Sequence, residues 1–418
     1  MKNNKMGLNE TWSMAVGAMI GGGIFSVLGV IIVRAGNLAW LSFLISGLIA
    51  LATAISYSNL TNKFEEGGGA FTYIKDINHE GLAGGLSWLL ILGYILSISV
   101  YAFTFGQYLE NLLGFGPWFP RLISVIIISL FMAFNIKGAG EASWIEVITV
   151  WGKLIILLAI AIIGLWNFKP EMLVIEGLKQ QSTFFNAVTG AATIFLAYQG
   201  FQLITYDYQE IHKPDQTIKK AEIMAIIAVI FVYILVDFGI VNLVSPELIN
   251  QEKEVVIAIA GQRILGTAGL IIASIAALFS TGSAINSTVF ATARLANKIA
   301  GDGELPHFLA SKNNNNVPAR AIFSISLISA ILAIIGSLSS LVEAASFIFL
   351  ITFAIVNFIA FTEINKNKFI SLAGGIGAVT AALILTVQLI NTKPFILLAM
   401  FILIIVVTAG RKVFYNKK

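Results

Sequence analysis

Along the chain, apolar runs of about twenty residues alternate with short stretches that hold the charges and turn formers. That is the pattern of helices crossing a bilayer. Twelve runs can be delimited, at residues 10–35, 38–61, 82–113, 119–136, 143–166, 183–209, 219–244, 264–297, 319–337, 341–361, 370–390 and 394–411. Two are interrupted near their middle. The first reads SMAVGAMIGGGIFSVLGVII, and its Gly21, Gly22 and Gly23 each forfeit about 1 kcal/mol of helix propensity against alanine. The sixth reads TGAATIFLAYQGFQLITY, with Tyr198, Gln199 and Gly200 as a polar, flexible triplet. Close packing of small residues would account for the glycines without any break. Their placement argues for one. Runs one and six are the first members of two groups of five, and an odd count makes the second group enter the membrane with opposite orientation. Interrupted helices at matching positions of inverted halves point to a binding site at the midplane.

An unwound segment leaves amide N–H groups free on one half-helix and carbonyls on the other. The amides and the positive dipole end suit a carboxylate, and the carbonyls suit an ammonium or a metal ion. A zwitterionic amino acid needs both, and glycine permits the close backbone approach.

The chain of 418 residues is 57% apolar and 11% charged, with no long polar stretch that could fold as a separate soluble domain. One polytopic domain, residues 1–418, is expected. MKNNKMGLNE is too polar for a cleaved signal peptide, so the first span is expected to be retained. The net charge of +4 is spread over loops, which bears on membrane orientation and not on nucleic acid. Eighteen Lys and Arg fall on the side of the termini and seven on the other, so the positive-inside rule predicts cytoplasmic termini in the cell membrane. Cysteine is absent, which excludes a disulfide-linked partner subunit and any thiolate metal site. His79, His212 and His307 all fall in predicted loops, so no histidine relay crosses the membrane.

Lys153 lies ten residues into the fifth run, in WIEVITVWGKLIILL. An ammonium at that depth costs on the order of 3 kcal/mol by insertion scales.

Four segments carry a family resemblance. GAMIGGGIF (17–25) is similar to a first-span motif usually written G-x-x-I-G-[ST]-G-I-F. FLAYQGF (195–201) is similar to F-x-A-Y-x-G-F, and GGGAFTYI (67–74) to G-G-A-Y-x-Y-I. NKIAGDGELPHFLASKNNNNVPARAI (297–322) resembles a loop reading A-R-D-G-x-L-P-x-F and then P-x-R-A. Together these resemble the amino acid–polyamine–organocation superfamily of transporters. The resemblance implies an all-α integral membrane protein of LeuT-type fold. It would have two inverted five-helix repeats (10–166 and 183–361) and two additional helices (370–411), and would carry amino acids by alternating access. It also implies site residues. The substrate carboxylate would meet the amides of Gly22 and Gly23 beside Gly21. The amino group would meet carbonyls of Met19, Leu196, Ala197 and Gln199, and Phe201 would be the aromatic gate. The match is not complete. Gly22 replaces a usual Ser or Thr, Gln199 a usual aliphatic residue, and QEIHKPDQTIKKAEI lacks the asparagine and final proline of the usual post-sixth-span motif.

Some proton-coupled members of the superfamily, archaeal ones included, carry a fifth-helix lysine whose ammonium stands where sodium symporters hold a sodium ion. Lys153 resembles it, with Glu146 seven residues earlier. A charged Lys153 is expected to donate to the carbonyl of Gly17 and to hydroxyls of Ser280 or Thr281, and to release them when neutral. Glu146 and Thr149 share its helical face, and Glu146 is expected to relay or partner the proton. The alternative is a fixed, permanently charged lysine in an exchanger or facilitator. Asp237 and Asp207 are weaker proton or gate candidates, and Tyr101, Phe103 and Phe105 could line a side-chain pocket. No counter-charge marks that pocket, so neutral amino acids are expected. Two further classes compete. A substrate-gated sensor would bind without transport. An intramembrane enzyme lacks support, because no paired carboxylates, Cys or His cluster lies inside the spans and EEGGGAF is not a phosphate loop. No cofactor and no metal is implied; the expected partners are an amino acid, protons and the lipid bilayer.

Overall fold

The computed structural model describes residues 5–67, 69–76, 80–138, 143–166 and 182–415. His79 lies outside them, as do Lys2, Lys169, Lys179, Lys417 and Lys418 of the charge count. The chain folds as helices α1 (Leu8–Ala35), α2 (Ala39–Phe64), α3 (Gly69–Asp76), α4 (Glu80–Leu113), α5 (Phe119–Ile136), α6 (Ser143–Trp166) and α7 (Phe184–Thr193). Two 3₁₀ segments, Phe195–Tyr198 and Phe201–Glu210, follow. Then come α8 (Pro214–Leu243), α9 (Pro246–Gln251), α10 (Val256–Gly301), α11 (Ala319–Ile335), α12 (Leu338–Glu363), α13 (Lys368–Thr392) and α14 (Pro394–Tyr415). Among the described residues there is no strand, only an isolated parallel bridge between Met6 and Ile211.

Every one of the twelve predicted runs falls on helix. By length and apolarity, eight helical stretches among the described residues can cross a membrane, nine if the bent sixth span counts as one. The first of them, Leu8–Phe64, is two helices divided at Gly36, whose φ of 55° ends α1. Helix α10, at 46 residues, would be about 69 Å long if straight. It is broken at Leu265 and Gly266, so that the long segment begins close to the predicted start at 264. Residues 319–335 and 394–403 make shorter apolar helices.

Helices α1, α4 and α12 are central. From Ala15 to Gly29 only Ala18 of α1 is not fully buried. The surrounding helices expose apolar faces: Ile148, Ile155 and Ile162 of α6, seven residues apart, are 63%, 64% and 57% exposed. In water such a stripe would be a liability; against acyl chains it is the expected outer surface. The opposite face of α6, with Val150, Leu154, Leu157 and Ala161, is buried. Helical periodicity therefore turns Lys153 inward, and it is 4% exposed.

Candidate functional site

The sixth span is interrupted at Ile194 and again at Gln199–Gly200, the second within the expected triplet. Helix α7 stops at Thr193, and the chain continues at an angle of 57°. Gln199 is extended (φ −70°, ψ 140°) and Gly200 has φ 126°, a conformation that favours glycine. A Cβ on Gly200 would also lie 2.6 Å from Cβ of Ala18. The break frees backbone groups in a region without water, so side chains must satisfy them. The Leu196 N–H donates to Ser346 Oγ (3.0 Å), and that hydroxyl donates to Thr193 O (2.6 Å). The Gly200 N–H donates to Gln202 Oε1 (2.9 Å), and Gln202 Nε2 donates to the Tyr94 hydroxyl (3.0 Å). The Tyr233 hydroxyl lies 2.9 Å from both Met19 O and Ala197 O, bridging α1 and the break.

The first span is different. Helix α1 runs unbroken through Gly21, Gly22 and Gly23, so the expected unwinding is absent from this conformation. The glycines serve close packing instead. A Cβ on Gly22 would fall 1.8 Å from Cδ1 of Tyr101. One on Gly23 would fall 2.6 Å from the Tyr233 hydroxyl and 2.8 Å from Ala197 O, and one on Gly21 2.9 Å from Cβ of Ala284. The two glycine-marked regions thus meet in space, with Tyr101 laid over Gly22 and its hydroxyl donating to Gln199 Oε1 (2.9 Å). Of the expected carbonyl acceptors, Leu196 O accepts the Gln199 N–H (3.0 Å). The ring of Phe201, the expected gate, packs with Tyr57 and Phe353, and Tyr101 is the aromatic side chain over Gly22. Phe103 and Phe105 point elsewhere, toward Arg121 and Gly282.

One turn before the glycines, the Lys153 ammonium donates to Gly17 O (3.0 Å). Ser280 Oγ donates to Ile20 O (3.2 Å), while the Thr281 hydroxyl bonds within its own helix, to Ala277 O (2.7 Å). Lys153, Ser280 and Gly17 therefore converge on α1, and the Thr281 hydroxyl beside them stays bonded within α10. The side chain of Glu146 lies outside the described residues. Asp237 is buried and accepts from the Trp40 backbone N–H in the first turn of α2. Asp207 pairs with Arg294 (3.3 Å). His212 and His307 are exposed. Among the described residues no group of His, Asp and Glu could hold a metal ion.

A cavity of about 960 Å³ enters from the face that carries the N-terminus. Lys5, Met6 and Arg294 line it, and Ala18, beside the Gly17 and Met19 carbonyls, is among its walls. Far along α1, near Arg34, Glu343 is 1% exposed and pairs with Arg34 (3.4 Å) and Lys393 (2.8 Å). Tyr233, Ser346 and Glu222 were not legible as functional candidates. A Tyr or Ser in an apolar run reads as packing, and a Glu near a span's end reads as solvated. Glu222 is in fact fully buried.

A bundle with an apolar outer surface, a helix broken at its centre and a vestibule leading from one face to that break defines an integral-membrane transporter. Residues 6–415 match the family model described as amino acid permease. The chain is 31% identical over 375 residues to an uncharacterized protein of Methanocaldococcus jannaschii, covering 88% of this chain and 85% of that one. It is 29% identical to the inner membrane transport protein YbaT of Escherichia coli over 86% of this chain and 83% of that protein. With the serine/threonine exchanger SteT of Bacillus subtilis it shares 23% identity over 72% and 69% of the two chains. The chain belongs to the amino acid permease family, within the amino acid–polyamine–organocation superfamily. It is a multi-pass membrane transporter of amino acids and not an enzyme.

Proposed function

We propose that this protein is a secondary active transporter that carries neutral amino acids by alternating access in symport with protons. The reading includes a LeuT-type arrangement of twelve crossing helices, with inverted repeats over 10–166 and 183–361, the additional pair at 370–411, and cytoplasmic termini in the cell membrane. The observation that carries it is the Lys153 ammonium on Gly17 O, one turn from the glycine triplet. A protonated lysine ties α6 to α1. A neutral one gives up a charge-assisted bond, which biases the two arrangements of the bundle differently. Substrate is held at Met19, Gly21, Gly22, Gly23, Leu196, Ala197 and Gln199. For the amides of Gly22 and Gly23 to reach a carboxylate, α1 unwinds there and the Tyr101 ring leaves Gly22. The three glycines lower the cost of that step by about 1 kcal/mol each. Charged substrates are disfavoured because Tyr101, Gln199 and Tyr233 offer hydrogen bonds and no counter-charge.

The test is uptake of a radiolabelled neutral amino acid mixture into sodium-free liposomes under an inward proton gradient. Accumulation above equilibrium, abolished by an uncoupler and lost in Lys153→Ala, is expected. A second reading is exchange with Lys153 permanently charged, favoured by the likeness to an exchanger of Bacillus subtilis. Uptake that ignores the gradient but responds to amino acid loaded inside would establish it instead.

A further inference from the structure

Glu222 stands about two turns into α8, past the surface lysines Lys219 and Lys220. It is 0% exposed, and neither carboxyl oxygen has a hydrogen-bond partner. Close by, the Tyr57 hydroxyl of α2 is also buried without a partner. Two tyrosines are its electrostatic neighbours, Tyr57 and Tyr73 of α3.

The charged groups of the surrounding elements are engaged away from it. Lys63 of α2 pairs with Glu363 (2.7 Å), and Asp215 at the start of α8 accepts from the Tyr208 hydroxyl (2.5 Å). Lys298 of α10 pairs with Glu66 (3.0 Å), Lys153 of α6 meets Gly17, and Glu10 of α1 accepts the Gly7 N–H (3.0 Å). No ion pair among the described residues includes Glu222. An isolated carboxylate in such a place costs several kcal/mol, whereas the neutral acid costs far less. This packing therefore favours a protonated Glu222.

The tyrosines beside Glu222 lie next to the transport path. Tyr73 shares a hydrogen bond with Thr61 (2.5 Å), and Tyr57 and Tyr73 are both electrostatic neighbours of Tyr206, which lines the vestibule. The Tyr206 hydroxyl lies 2.9 Å from that of Tyr94, which accepts from Gln202, whose carbonyl oxygen holds the Gly200 N–H in the break. A hydrogen-bonded row thus runs from Tyr206 to the broken helix, and Tyr57 and Tyr73 stand between it and Glu222 without a bond to the carboxyl.

We propose that Glu222 is a second proton-binding site of the transport cycle, occupied while the inner half of the sixth span packs against α2 and α8 and emptied when that contact opens. Opening brings water to the carboxyl, which then ionises and opposes reclosure until a proton returns. The inference rests on the proton-coupled reading above but concerns a different residue from Lys153.

The experiment measures proton uptake per amino acid with an interior pH dye, alongside amino acid counterflow, for the native protein, Glu222→Gln and Glu222→Asp. With Glu222 in the cycle, the Gln variant loses proton-driven accumulation but keeps counterflow, and the Asp variant keeps both with a shifted pH profile. Difference infrared spectra should show a protonated-carboxyl band that responds to substrate and is missing from the Gln variant. Native protein without proton uptake would overturn the coupled reading and this site with it. Coupled native protein with an unaltered Gln variant, or with an Asp variant whose pH profile is unmoved, would overturn Glu222 alone. So would loss of accumulation and counterflow together in a Gln variant that stays monodisperse, since that marks a structural acid.

Discussion

Ser346 of α12 holds the break in the sixth span together with one oxygen. Its hydroxyl accepts the Leu196 N–H at 3.0 Å and donates to Thr193 O at 2.6 Å. Ser346→Ala strands a buried donor and a buried acceptor at once. Each stranded group costs about 1–3 kcal/mol, so a loss of roughly 2–6 kcal/mol is expected, before any relief from local refolding. Residual helix could recover part of it by closing the break, and that would distort the binding region. The matched control is Thr352→Val on the same buried helix. That hydroxyl bonds only Ile348 O of its own helix (2.7 Å), and its loss strands little. Thermal unfolding in detergent, read by monodispersity after heating, should place Ser346→Ala well below both the native protein and Thr352→Val. Counterflow by Ser346→Ala should fall as well. If the two variants melt together, the break is not maintained by Ser346, and the account of it as a side-chain-satisfied interruption is wrong.

Gly22→Ala gains about 1 kcal/mol of helix propensity but meets the Tyr101 ring, an overpacking cost of about 1–3 kcal/mol. Transport should drop, and Gly22→Ala combined with Tyr101→Leu should recover stability in a double-mutant cycle; additive losses would contradict the contact. Glu343→Gln removes the anion shared by Arg34 and Lys393. The cations are partly exposed, so a loss on the order of 2 kcal/mol is expected in melting experiments at low salt. Burial raises the pKa of Glu254, in the connection before α10, against the smaller opposing pull of Lys253 and Arg121. A raised folded pKa means the native state holds its proton longer, so stability is fullest below the unfolded value and falls as pH rises through the folded one. Glu254→Gln should flatten that part of the stability–pH curve, and an unchanged curve would remove Glu254 as its source.

The sequence by itself determined the helices. Burial in lipid forces every backbone group to be satisfied within a segment, so apolar runs of bilayer length have few alternatives. It also placed Lys153 ten residues into its span, whereas the structure shows that its side chain faces inward and Ile148, Ile155 and Ile162 face outward. The break at Gln199–Gly200 was legible because a left-handed residue in mid-span needs glycine. At Gly21 to Gly23 the same reasoning expected an unwound segment, and this conformation holds them helical. A glycine run is equally a hinge and a contact surface, and local propensity cannot say which. Only the tertiary structure brings Tyr101 and Tyr233 against those glycines and keeps α1 helical. Only it takes Glu222 away from solvent, leaves its carboxyl without a partner and sets tyrosines from α2 and α3 around it. Those outcomes depend on which helices are neighbours, and neighbours far apart in sequence leave no mark in the pattern of a single chain.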